Sequence, residues 1–246
     1  MISQKPYIRS ILFKDEDAKL SQEYPYNIPS IKECENIKFH PDVTFLIGEN
    51  GSGKSTLLEA IAIAYGFNPE GGTKNMRFHT HESHSDLHEN LRLSKGLKQA
   101  EDGYFLRAET FYNLATEIDD NDLIKGYGGK SMHKLSHGEA FIALMIYKLR
   151  GNGLYIFDEP EAALSPSRQL AALASIDKLV KSGSQFIIAT HSPILLAYPS
   201  ATIYELNENG IMEINYKDTS QYKITKYFMD NPSEAIHMVL SENNET

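Results

Sequence analysis

Phe45-Leu46-Ile47-Gly48-Glu49-Asn50-Gly51-Ser52-Gly53-Lys54-Ser55-Thr56 is the stretch whose reading decides the fold. Gly48, four further residues and then Gly53-Lys54-Ser55 satisfy the G-x-x-x-x-G-K-[ST] pattern of a phosphate-binding loop. The flanks are those the pattern needs. Val43 to Ile47 is a β-branched and aromatic run suited to a buried parallel strand, and Thr56 to Tyr65 is an apolar run that predicts a buried helix stopped by Gly66. In such a loop the glycines let backbone N–H groups curl around phosphate oxygens, and the helix N-terminus adds partial positive charge. Lys54 is then expected on the β/γ-phosphate oxygens and the Ser55 hydroxyl on Mg²⁺, with Asn50, Gly51, Ser52 and Thr56 completing the cradle.

Outward from that loop, two further apolar strands end in chemistry-bearing residues. Leu154-Tyr155-Ile156-Phe157 runs into Asp158-Glu159-Pro160, and Gln185-Phe186-Ile187-Ile188-Ala189-Thr190 runs into His191. Carboxylates at the carboxyl edge of a parallel sheet that also carries a phosphate loop are placed for catalysis. Asp158 is expected to hold Mg²⁺ through water and Glu159 to orient or deprotonate an attacking water, with a neutral His191 hydrogen-bonding the γ-phosphate. Ser136 and Glu139 form a capping box before the apolar run Phe141–Leu149, and an exposed Ser and Gly138 there also suit an anion.

The other segments give a coarser reading. Tyr7–Phe13 reads as an edge strand and Ser85–Leu93 as a short helix with Leu87, Leu91 and Leu93 inward. Gly103–Glu109 reads as a strand, and Gly126–Ser131 as a glycine hinge whose spacing is wrong for a second phosphate loop. Ser165-Pro166 opens a helix with Leu170, Leu173, Ile176, Leu179 and Val180 near one face, stopped by Gly183. A hairpin spans Ala201 to Tyr216, and two amphipathic helices follow, split by Asn231-Pro232. Tyr24 and Tyr26 flank Pro25, and either ring could stack on an adenine. His79, His81, His84 and His88 are close enough in sequence to weigh a metal site, although their spacing matches no strong ligand template.

Composition bounds the rest. The 246 residues support a full core, read as one α/β domain over 1–246 with a small insertion at about 68–134. A net charge of −9 opposes general adhesion to nucleic acid, and the lone Cys34 excludes a disulfide framework. No stretch approaches 18 apolar residues and the start lacks a signal-peptide core, so a soluble cytoplasmic protein is expected.

Taken in order, GENGSGKST at 48–56, LSHGEA at 135–140, LYIFDEPEAAL at 154–164, SPSRQ at 165–169 and IIATHSP at 187–193 resemble the ATP-binding-cassette ATPases. The pattern is similar to the stand-alone branch related to repair and chromosome-maintenance ATPases. The resemblance implies a P-loop fold of the cassette type: a mostly parallel core sheet flanked by helices, an antiparallel β portion and a small helical insertion. It implies ATP and Mg²⁺ as ligands, Glu159 as catalytic base, Ser136 and Gly138 as a signature on the γ-phosphate of ATP held by a second subunit, and the segment 165–169 as the link between the two sites. The signature departs from LSGGQ at His137 and Glu139, and Glu109 stands nearest the place of the family's Q-loop glutamine. The function implied is a soluble ATPase that forms an ATP-dependent homodimer and switches a soluble protein or nucleic-acid partner, in DNA maintenance or defence. The alternative is the nucleotide-binding subunit of a transporter, with a membrane permease as partner.

Overall fold

The computed structural model describes residues 5–14, 21–34, 36–73, 85–107 and 136–242. Its chain order is β1 (Ile8–Phe13), α1 (Pro29–Lys32), β2 (Asn36–Lys38), β3 (Val43–Ile47), α2 (Lys54–Tyr65), α3 (Leu87–Asn90), β4 (Leu91–Lys95) and β5 (Asp102–Arg107). Then come α4 (His137–Ala143), β6 (Gly153–Asp158), α5 (Pro166–Lys181), β7 (Gln185–Ala189), α6 (Pro193–Leu196), β8 (Thr202–Asn207), β9 (Gly210–Glu213), α7 (Ser220–Asp230) and α8 (Pro232–Glu242).

Two sheets carry the fold. The core sheet has the order β5-β6-β7-β3-β8-β9, parallel except for the antiparallel β8–β9 hairpin. Every residue of β3, β6 and β7 is buried, which is why these strands read as continuous rather than alternating apolar runs. Alternate side chains serve opposite faces: Phe45, Tyr155, Phe157, Phe186 and Ile188 pack with α4 and α5, whereas Leu46, Ile156, Ile187 and Ala189 pack with α2. The second sheet, β2-β1-β4, is antiparallel and shares the α2 side of the core. Helix α2 is thus held between sheets, and its apolar residues surround it accordingly.

Gln185 joins the two sheets. Fully buried, its Oε1 accepts from the Tyr7 and Ile8 amides at 2.8 and 3.0 Å, and its Nε2 donates to the Ile8 and His40 carbonyls at 2.9 and 3.0 Å. All four capacities of the amide are used, so burial of this polar group is compensated.

Four expectations are corrected. β1 is the middle strand of its sheet, flanked by β2 and β4, not an edge. Ser85–Leu93 is helical only from Leu87 to Asn90; Leu91 begins β4, whose β1 pairing outweighs local helical periodicity. Leu170 is 60% exposed on α5 rather than on its inner face with Ile176 and Leu179. Tyr26 is buried at 5% exposure, its hydroxyl bonded by Asn90, and has no face for an adenine. Of the stretch 68–134, the described parts contribute α3, β4 and β5. Glu109, the 126–131 glycines and His79, His81 and His84 lie outside the described residues. His88 places Nδ1 3.0 Å from the Ser85 carbonyl, and no cluster of three or more potential metal ligands occurs among the described residues.

Candidate nucleotide site

The loop after β3 is shaped by its glycines. Gly48 has no room for a side chain, because a Cβ there would lie 2.4 Å from the Leu206 carbonyl oxygen. Gly51 and Gly53 take φ of 80° and 92°, a left-handed backbone open to glycine, and Gly53 delivers the chain to α2 at Lys54. The Lys54 Nζ donates to the Gly48 and Glu49 carbonyls at 2.8 and 3.0 Å, closing the loop. Burial pushes its ammonium pKa down; Glu159, Asp158, Glu49 and Glu161 partly offset this. Among the described residues Lys54 is the one buried cation facing these carboxylates, and Mg²⁺ would add positive charge there.

The expected strand ends meet here. Ser55 Oγ donates to Asp158 Oδ1 at 3.0 Å. That separation matches the span of about 3 Å between adjacent oxygens of an octahedral Mg²⁺ with bonds of about 2.1 Å. The Ser55 hydroxyl and the Asp158 carboxylate are thus the oxygens that would hold Mg²⁺. Glu159 follows with φ 48°, a left-handed conformation uncommon outside glycine, while its amide donates to the Ala189 carbonyl at 2.9 Å. The turn directs its carboxylate to a cleft of about 380 Å³, whose lining includes Asn50, Gly51, Gly53, Lys54, Ser55 and Thr56. Tyr24, 62% exposed, stands on the same cleft with its hydroxyl 3.1 Å from Thr56 Oγ1. Of the two candidate rings, Tyr24 is the one beside the phosphate loop. Ser52 Oγ is buried without a hydrogen-bond partner under the loop.

His191 arrives from β7, its Nε2 3.6 Å from Glu159 Oε1 and with no hydrogen-bond partner of its own. Of the two side chains that fix it, Glu161 was assigned no role from sequence, and Gln169 only a place in the 165–169 segment expected to link the two sites. The Glu161 carboxylate spans the turn, accepting from Thr190 Oγ1 at 2.7 Å and from the His191 amide. Gln169 Oε1 accepts from Ser192 Oγ at 2.6 Å, and Gln169 Nε2 holds the Leu164 carbonyl at 3.0 Å. Ser192 in turn caps α6, accepting from the Ile194 and Leu195 amides. The only signal for these roles is composition: a second acid two residues after Glu159 and a Gln in the first turn of α5.

Ser136 and Gly138 open α4. The capping box forms as expected, with the Ser136 amide and hydroxyl both donating to Glu139 Oε2 at 2.8 and 2.7 Å. Ser136 is exposed as expected, whereas Gly138, expected to be exposed with it, is buried under the Arg168 side chain. It lines a second cavity of about 510 Å³ with Gly138 and Arg168, and Glu159 belongs to the walls of both cavities.

A glycine loop closed by its own lysine, a serine hydroxyl on a strand-end aspartate and a following glutamate define a P-loop nucleotide-binding ATPase domain. Two family models match: "AAA domain" over residues 26–134, and "AAA domain, putative AbiEii toxin, Type IV TA system" over 132–197. The cytochrome c biogenesis ATP-binding export protein CcmA of Rhizobium johnstonii is 31% identical over 65% of this chain and 81% of its own. The tungstate uptake system ATP-binding protein TupC of Campylobacter jejuni is 24% identical over 86% of this chain and 72% of its own. Among solved structures, the SMC head domain from Thermotoga maritima aligns with a TM-score of 0.43 at 17% identity, covering 85% of this chain and 99% of that one. The chain belongs to the ATP-binding-cassette family of ATPases. No helix among its described residues is long and apolar enough to cross a membrane.

Proposed function

We propose that the chain hydrolyses ATP in a head-to-tail dimer and uses the closing and opening of that dimer to switch a partner. The observation that carries this reading is the meeting of Ser55 and Asp158 at 3.0 Å beside the phosphate loop, with Glu159 turned into the same cleft.

In this reading the amides of residues 50–55 and Lys54 bind the β- and γ-phosphates, and Tyr24 stacks on the base. Ser55 and Asp158 hold Mg²⁺, which when bound neutralises charge on the phosphates. Glu159 orients a water and accepts its proton, and its backbone turn fixes the carboxylate in the cleft. His191, presenting a buried Nε2 with no partner of its own, donates to the γ-phosphate. Exposed Ser136, with Gly138 buried beside it on the second cavity, serves the nucleotide of the second copy, so that ATP joins the copies and its hydrolysis releases them. The single-domain organisation over 1–246 belongs to the same proposal.

For the partner we favour a soluble protein or nucleic acid, in DNA maintenance or defence; the toxin–antitoxin description of the model matching 132–197 supports the latter. A transporter role is the second reading, favoured by the export and uptake ATP-binding relatives. The test is Glu159→Gln, which should bind ATP, stop releasing phosphate and accumulate as a dimer on size-exclusion chromatography with ATP but not ADP. A variant that stays monomeric at saturating ATP contradicts the dimer, and one that still hydrolyses contradicts the role of Glu159. Affinity capture on the trapped dimer separates the partners, since recovery of a polytopic membrane protein supports transport.

A further inference from the structure

Arg168, in the first turn of α5, is the single Lys or Arg among the described residues that line the cavity holding Ser136. Its Nη1 donates to Ser136 Oγ at 3.0 Å, and its Nη2 lies 3.4 Å from Glu139 Oε1. The guanidinium lies across Gly138, where a Cβ would come within 2.6 Å of Nη1 and 2.9 Å of Cδ. Gly138 is thus the residue that lets the fork reach Ser136. The opposing charge at this spot is Glu139, whose Oε2 is 2.7 Å from Ser136 Oγ. A carboxylate so close to the serine repels an incoming triphosphate unless a cation stands beside it. The Arg168 side chain is 36% exposed, so its outer edge faces the cavity rather than the core. A guanidinium has five donors in a fixed plane, and Ser136 and Glu139 engage its two terminal nitrogens from one side.

We propose that Arg168 is a phosphate ligand acting across the dimer interface, where it joins Ser136 on the terminal phosphate of the nucleotide held by a second copy of this chain. The proposal rests on the ATP-joined dimer above. The phosphate takes up donors on the outer edge of the fork, while the bonds to Ser136 and Glu139 hold the fork in place. Planar, charge-assisted contacts of this kind are the stronger class of hydrogen bond, and a point charge on a flexible stem does not replace them.

The test is made in the Glu159→Gln background, by sedimentation velocity at saturating ATP and Mg²⁺ over a range of protein concentration. Adding Arg168→Ala is expected to raise the concentration needed for half-dimerisation by about tenfold or more, the scale of a lost charge-assisted hydrogen bond. Adding Glu139→Gln as well separates the direct contact from mere neutralisation of Glu139. If Arg168 touches the phosphate, the triple variant stays impaired; if it only offsets the carboxylate, the triple variant dimerises like Glu159→Gln, and the proposal is overturned. Unchanged dimerisation by Glu159→Gln/Arg168→Ala overturns it too, leaving the dimer intact. Failure of Glu159→Gln itself to dimerise removes both the proposal and the reading beneath it.

Discussion

Removing the Glu161 carboxylate should slow turnover without weakening ATP binding. Its two oxygens hold the Thr190 hydroxyl at 2.7 Å and the His191 amide, and it stands two residues beyond Glu159. A hydrogen bond to a charged acceptor contributes about 1.5–3 kcal/mol. Glu161 is half-buried, so the lower end applies. Glu161→Gln keeps one acceptor oxygen but turns an NH₂ donor toward a donor, so about 1–2 kcal/mol of anchoring is lost at the His191 turn. If that loss appears as misplacement of His191 in the transition state, kcat falls about tenfold, at 1.36 kcal/mol per decade. KM for ATP should hold within about twofold, because Glu161 grips the turn rather than the nucleotide. Steady-state phosphate release measures both constants. A Thr190→Val companion should show coupling with Glu161→Gln of about 0.5–3 kcal/mol in a double-mutant cycle. Wild-type kcat for Glu161→Gln, or a change confined to KM, would refute the argument.

Other outcomes follow from the same contacts. Tyr24→Ala should weaken ATP binding about tenfold, as loss of roughly 1–3 kcal/mol of base stacking implies, while Tyr26→Phe should leave affinity alone and lower thermal stability through the Asn90 bond. Calorimetric titration beside a melting curve distinguishes the two. Gln185→Leu should cost about 2–4 kcal/mol in urea unfolding, because it orphans the Tyr7 and Ile8 amides between the sheets; a cost under about 0.5 kcal/mol would show that the sheets do not depend on this link. Alkaline stability gives a fourth outcome. Burial raises the Tyr7 and Tyr198 hydroxyls from 10.0 to about 12, and Tyr155 is raised further, so the native state keeps protons that the unfolded chain gives up. Stability from these groups is complete below pH 10 and declines as pH rises from 10 through 12, and Tyr7→Phe should flatten that decline.

Where local sequence and tertiary environment demanded the same thing, the chain was readable. Residues 45–56 had to be strand, tight loop and helix, because the glycine spacing, the β-branched run and the apolar helix agree. β6 and β7 were legible for the same reason: they are buried on both faces. The reading failed where pairing at a distance decided the outcome. Nothing local says that β1 receives a strand on each side, or that Leu91 turns from helix to β4 to supply one. Tyr24 and Tyr26 are equivalent in sequence and separated only by the turn that buries one beside Asn90 and leaves the other at the cleft. Glu161 gained no role from sequence, and Arg168 and Gln169 only a place in a segment linking the two sites, because their partners lie on other elements, 29, 32 and 23 positions away.

The central claim is that the ends of β3, β6 and β7 serve one nucleotide and that Ser136 serves another. Its most direct test is a crystal structure of Glu159→Gln grown with ATP and Mg²⁺. The account predicts a metal about 2.1 Å from Ser55 Oγ, with Asp158 in its ligand shell or one water away, and Ser136 of a second copy on the γ-phosphate. A metal remote from both Ser55 and Asp158, or phosphates bound away from residues 48–55, would contradict it.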